Sequence, residues 1–150
     1  MTVSVGDGPM GDGADWGSEA PAGPRHEARE RALGLLYEAE MKRSEPLEVL
    51  AELRVPADPF AAELVTGVAE HGARIDELIA GAAERWELER MPAVDRSILR
   101  LGTFELLAEL GTPVAVVIDE AVELAKQYST EASGSFVNGV LSTVARQVRT

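Results

Sequence analysis

Asp95-Arg96-Ser97-Ile98-Leu99-Arg100-Leu101-Gly102-Thr103-Phe104-Glu105-Leu106-Leu107-Ala108-Glu109 has apolar side chains at Ile98, Leu99, Leu101, Phe104, Leu106 and Leu107. On a helix these positions cover much of the circumference instead of forming one stripe. A surface helix shows a single apolar face, so this one belongs at the centre of a fold. Gly111 and then Pro113 close it, because glycine ends helices readily and proline cannot continue one.

The segments on either side carry single stripes. Downstream, Val114, Ile118, Ala121, Val122, Ala125 and Tyr128 recur at helical spacing. A polar connector from Ser129 to Ser135 follows, then a last helix bearing Val137, Val140, Leu141, Val144 and Val148. Upstream, Met91-Pro92 interrupts a stripe made by Ile75, Leu78, Ile79, Ala82 and Trp86. Gly72 marks a bend before it, and Phe60, Leu64, Val65 and Val68 form the preceding stripe. That stripe opens at Asp58-Pro59, an acid at the cap and proline at the first helical position. Ser44 and Pro46 open a short helix with Leu47, Leu50 and Leu53, which Val55-Pro56 ends. A first helix runs from Arg25 through Leu33, Leu36, Tyr37 and Met41. No segment alternates like a strand, and no Asn-Gly or Asp-Gly pair joins two strand-like runs. The expectation is an all-α fold of about seven helices across residues 25–150.

Residues 1–24 are rich in Gly, Pro and Asp and have no hydrophobic period. Such a segment buries too little surface to offset its ordering entropy, so a disordered acidic tail is expected. Trp16 within it is either an incidental aromatic or a docking anchor. The chain as a whole is 45% apolar and only 5% aromatic, so the core must be built from Leu, Val, Ile and Ala. It has no cysteine, which excludes disulfides, thiolate metal sites and cysteine nucleophiles. No apolar run approaches the roughly 20 residues of a membrane span. The first residues lack the basic and apolar regions of a signal peptide. A soluble, unexported, cytoplasmic protein is expected.

The net charge of −12 argues against a surface that binds nucleic acid everywhere. The first 24 residues hold four acids and no Lys or Arg, leaving −8 for the rest. Any nucleic-acid contact needs a local basic patch. Catalysis finds little support: His26 and His71 are the only histidines and lie in different helices. No metal-ligand spacing and no phosphate-binding glycine loop after a strand are present. The expectation is no enzyme, no metal and no cofactor.

Arg25-His26-Glu27-Ala28-Arg29-Glu30-Arg31 is more informative. The helix dipole disfavours cations at a helix start, so three arginines there run against local stability. Free amide N–H groups beside guanidinium forks make a phosphate site. Solvated arginines paired with Glu27 and Glu30 are the competing reading. Lys126-Gln127-Tyr128 and the stretch Ser133 to Asn138, with Phe136, place aromatics near cations, which suits stacking of unpaired RNA bases. Taken alone, Tyr128 and Phe136 read as core residues ahead of RNA contacts.

Four stretches together resemble one family. They are Arg25 to Leu33 with Leu36-Tyr37; Val94-Asp95-Arg96-Ser97-Ile98-Leu99-Arg100; Ile118 to Lys126; and Phe136-Val137-Asn138-Gly139-Val140-Leu141. The resemblance is to the NusB family of bacterial antitermination factors and covers about residues 25–148. It implies two small helical bundles packed across each other, without catalysis. It implies binding of a box A RNA element, read largely as single strand, in the leaders of ribosomal RNA operons. The implied partners are the small-subunit ribosomal protein NusE, other Nus factors and RNA polymerase, which together resist premature termination. Both a monomer and a homodimer occur in the family. The resemblance places Arg25, His26, Arg29, Tyr37, Lys126, Tyr128, Ser133 and Phe136 at or near the RNA surface, and Glu89 and Asp95 at the ribosomal partner.

Glu27, Gly134 and Ser135 stand where other members carry basic residues, so RNA binding by this chain alone is expected to be weak. A protein-only helical adaptor is the alternative. NusB-like domains also precede a ribosomal RNA cytosine methyltransferase, but this chain lacks the length and the cysteine for that activity. Asp95 has a second reading as the cap of the central helix. Gly139, costly inside a helix, is expected to permit close helix packing.

Overall fold

The computed structural model describes residues 23–84 and 86–149. Within them seven α-helices and one 3-10 turn follow in order. These are α1 (Pro24–Lys42), α2 (Pro46–Ala51), α3 (Pro59–Glu70), α4 (Gly72–Ala83), α5 (Ala93–Ala108), α6 (Val114–Tyr128) and α7 (Glu131–Val148), with the turn at Leu88–Arg90. The expected tail, with Trp16, falls on residues outside those described, apart from Gly23 and Pro24. No described helix is long and apolar enough to cross a membrane.

Proline and a few polar side chains set the boundaries. Pro24, Pro46 and Pro59 each occupy the first position of a helix, where a missing N–H costs nothing. Asp58 caps α3 as the sequence suggests, its Oδ1 accepting from the Phe60 N–H at 2.8 Å and the Ala61 N–H at 3.3 Å. At α2 the cap is Glu45 rather than Ser44, and Glu48 reaches back to the Glu45 N–H at 3.3 Å. Val49, not Leu47, is the buried residue of that helix.

Helices α1, α2 and α3 pack on one another, and α4, α6 and α7 form the second group. Helix α5 touches α1, α3, α4, α6 and α7 and is the wall that both bundles share. Its side chains from Ile98 to Leu106 are buried except Arg100, so the all-round apolar pattern does mark the centre. The core joins Leu35, Leu64, Ile75, Ile79, Ile98, Leu99, Leu106, Leu124 and Leu141. Two close crossings depend on missing side chains. A Cβ on Gly67 would lie 2.1 Å from the Phe104 ring, and one on Gly102 would lie 2.7 Å from Leu141 Cδ1.

Three expectations need correction. Gly139 is exposed and a Cβ there meets nothing within 4 Å, so close packing does not explain it. The stretch Ser129 to Ser135 is mostly helix, because Thr130 Oγ1 accepts from the Ser133 N–H at 3.1 Å and starts α7 at Glu131. Trp86 does not continue α4: the chain turns at Glu84 with φ 42°, and the indole meets Phe136 edge-on at 6.0 Å.

Candidate nucleic-acid interface

Side chains bridge the start of α1 to α6 and to the loop before it in three rungs. Arg25 Nη1 donates to Thr112 Oγ1 at 3.3 Å. His26 Nδ1 lies 2.8 Å from Glu120 Oε1, and its other nitrogen 3.8 Å from Glu30. Tyr128 donates its hydroxyl proton to Glu30 Oε2 at 2.8 Å. That bond to Glu30 raises the Tyr128 pKa above its ordinary value, since losing the proton would set two anions together.

Arg25 and Arg29, one turn apart, have different surroundings. Arg25 is exposed, and its guanidinium lies over the Phe60 ring at 4.1 Å from the centroid. Arg29 is 5% exposed and grips Glu105 with both prongs, at 2.7 and 2.8 Å. Burial alone would lower the Arg29 pKa, but Glu105 and the nearby Glu120 outweigh it and the net shift is upward. The fork that was read as a phosphate contact is therefore closed on a carboxylate inside the molecule. Arg29 sits beneath the corner as a charge-neutral pair with Glu105.

The remaining residues make no hydrogen bond or ion pair with these three rungs among the described residues. Lys126 is exposed on α6, two residues before Tyr128. Gly134 packs against it, since a Cβ there would come 3.4 Å from Lys126 Cγ. Phe136 is half-buried against Trp86. Tyr37 is 39% exposed on α1, two turns beyond Glu30. Ser133 is buried, and its hydroxyl donates to Asp95 Oδ2 at 2.8 Å. The structure thus groups Arg25, His26, Arg29 and Tyr128 along one seam, whereas Lys126 lies on the side of α6 that faces Gly134 of α7. Ser133 is turned inward.

Asp95 corrects the capping expectation. It is the third residue of α5, whose cap position is Pro92 with no side-chain cap bond. Its two oxygens instead accept from Ser129 Oγ at 2.7 Å and Ser133 Oγ at 2.8 Å. At 4% exposure it ties α5 to the α6–α7 joint. Glu89 is exposed at an open groove also lined by Glu40, Asp76, Leu88, Arg96 and Arg100. Arg100 grips Asp76 at 2.9 and 3.0 Å, and Arg96 bonds Glu40 and the Leu88 and Met91 carbonyls.

Sequence reading missed Phe60, Thr112, Glu105 and Glu120. One signal was available: Glu105 is an acid within a helix otherwise apolar on most sides, and a buried acid requires a cation. Phe60 gave no signal beyond its place in a core stripe. Arg149 was also missed; it donates to the Glu105, Leu106 and Thr112 carbonyls at 3.0, 2.9 and 3.2 Å and pins the end of α7 to the loop that receives Arg25. Among the described residues, no group of three or more His, Cys, Asp or Glu is placed to hold a metal.

Comparison with known proteins supplies context for this seam. A profile described as the NusB family matches residues 26–146. A transcription antitermination protein NusB from Streptomyces griseus subsp. griseus is 50% identical over 127 residues, spanning 79% of this chain and 89% of that protein. The solved structure of T. maritima NusB superposes with a TM-score of 0.75 at 40% identity, covering 85% of this chain and 94% of that one. A chain from a solved complex of antitermination factors NusB and NusE with dsRNA superposes at 0.69 with 31% identity, covering 82% and 96%.

Proposed function

This chain belongs to the NusB family, and from that premise we propose that it is a transcription antitermination factor acting through RNA. It binds the box A element of ribosomal RNA leaders together with NusE and helps RNA polymerase resist premature termination. The observation that carries this reading is the Arg25 corner. There an exposed guanidinium is held in a fixed pose at a helix N-terminus, where backbone N–H groups also favour an anion. Such a corner suits one phosphate of an RNA strand. Lys126 adds an exposed cation on the α7 side of α6, and the half-exposed rings of Tyr128 and Phe136 offer surfaces for unpaired bases.

The roles within the seam divide by exposure. Arg25, Lys126 and Tyr128 contact RNA directly. Phe136 and Tyr37 flank them. His26 reaches RNA only by giving up Glu120 or Glu30. Arg29 and Ser133 shape the surface from below. Glu89, at the open groove, offers a carboxylate to NusE, and Asp95 acts on that face by holding α5 to the α6–α7 joint. The factor works in the cytoplasm, where transcripts are made, and catalyses no reaction. Residues 25–150 form the RNA-binding unit, which Gly23 and Pro24 open as the cap and first residue of α1; the residues before them in sequence are acidic.

The test is a titration of labelled box A RNA with the protein, with and without NusE, at several salt concentrations. Binding is expected to weaken with salt and to be tighter when NusE is present. Arg25→Ala is expected to reduce affinity and to lower the salt slope by about one, the signature of one lost phosphate contact. Absence of RNA binding in both conditions would overturn the RNA reading. Retained NusE binding would then leave a protein-only adaptor, a role that the acids Glu27, Glu30 and Glu120 along the seam would suit.

A further inference from the structure

We propose that Phe60 is a positioning residue for RNA-backbone recognition, its ring holding the Arg25 guanidinium flat with its N–H edge turned outward. The inference rests on the RNA reading above and adds a residue from the neighbouring helix α3. Phe60 is the second residue of α3, after Pro59. Its own N–H donates to Asp58 Oδ1 at 2.8 Å, so the cap that starts the helix also fixes the backbone that carries the ring.

Two guanidinium groups use this one ring, at 4.1 Å for Arg25 and 5.4 Å for Arg29. Their donors differ in availability. The Arg29 fork is closed on Glu105. Among the described residues the one bond from Arg25 is that to Thr112 Oγ1, which leaves most of its five N–H donors for a ligand. Stacking engages the flat face of a guanidinium, whereas its N–H groups radiate in the plane. A stacked arginine therefore keeps its edge for a bidentate phosphate contact. The pose also answers a local difficulty. A cation in the first turn of a helix opposes the helix dipole, and a long exposed side chain is free to swing. The ring face attracts the cation and removes much of that freedom before RNA arrives.

The experiment compares wild type, Phe60→Leu, Phe60→Tyr, Arg25→Ala and the Phe60→Leu/Arg25→Ala double variant. Each is titrated with box A RNA in the presence of NusE. Phe60→Leu is expected to weaken RNA binding roughly two- to fivefold, the size of an exposed cation–π contact. Phe60→Tyr keeps a π face and is expected to bind like wild type. In the Arg25→Ala background Phe60→Leu is expected to add nothing, because the two residues act as one unit. Multiplying effects in the double variant, or full affinity in Phe60→Leu, overturn the proposal. Should Phe60→Leu not fold, the NMR shift of the Arg25 Nε proton in the free wild-type protein decides. A ring-current displacement is expected, and its absence overturns the proposal. Failure of wild type to bind RNA removes the functional reading, and this inference with it; binding with multiplying effects removes the inference alone.

Discussion

Arg25 and Arg29 show how one residue type at one helix end serves two purposes. Arg29 and Glu105 form a desolvated ion pair with two short hydrogen bonds. Removing one partner strands a buried charge, so Arg29→Ala is expected to cost about 3–5 kcal/mol. Replacing both by apolar residues, as in Arg29→Met with Glu105→Leu, should recover most of that loss. Arg25→Ala, which gives up an exposed cation–π contact and one surface hydrogen bond, should cost no more than about 1 kcal/mol. Urea unfolding followed by circular dichroism distinguishes them, and equal small losses for Arg25→Ala and Arg29→Ala would refute this division. The cluster was legible in the sequence, because arginines at a helix start run against the dipole. Which arginine is open was not legible. That depends on Glu105, 76 positions away, and on a ring contributed by α3. The same limit applies to Asp95: its place near the start of α5 could be read, but the serines that claim its oxygens lie 34 and 38 residues downstream.

At the scale of elements, the glycines carry the clearest test. Gly67 lets α3 approach the Phe104 ring of α5, and Gly67→Ala must displace that ring. A loss of about 1–3 kcal/mol is expected from overpacking. Gly139 in α7 faces open space, and Gly139→Ala should instead gain up to about 1 kcal/mol from helix propensity. Opposite shifts of the thermal midpoint would support the pairing, and a gain for Gly67→Ala would refute it. Helix order and most boundaries were legible, because proline, Asp58 and apolar spacing act locally. Gly139 was misread because a helix does not announce which face its neighbours will cover. The start of α7 was misread because Ser129 to Ser135 is polar, and only the Thr130 bond to the Ser133 N–H turns that polar stretch into a capped first turn. Trp86 fitted the period of α4, yet the turn at Glu84 sends it to the side of Phe136.

For the whole molecule, charge is the organising quantity. The protein carries −12, of which the first 24 residues contribute −4. That acidity sits directly before the corner proposed to hold phosphate. Removing residues 1–22 should leave the thermal midpoint unchanged and raise RNA affinity at low salt. The gain should vanish as salt screens the field over about 10 Å at 0.1 M. A large fall in the midpoint would show that the segment packs on the helical body. Beyond charge, the meeting of Arg25 and Arg149 on Thr112 has a practical side. The first helix begins and the last helix ends at one loop, so the helical body is nearly a closed ring of chain. A tag or tether fused at either end of that ring arrives beside the RNA corner. A fusion inserted at the exposed Arg43, at the opposite end of α1, would instead place its cargo about 28 Å of helix away from that corner.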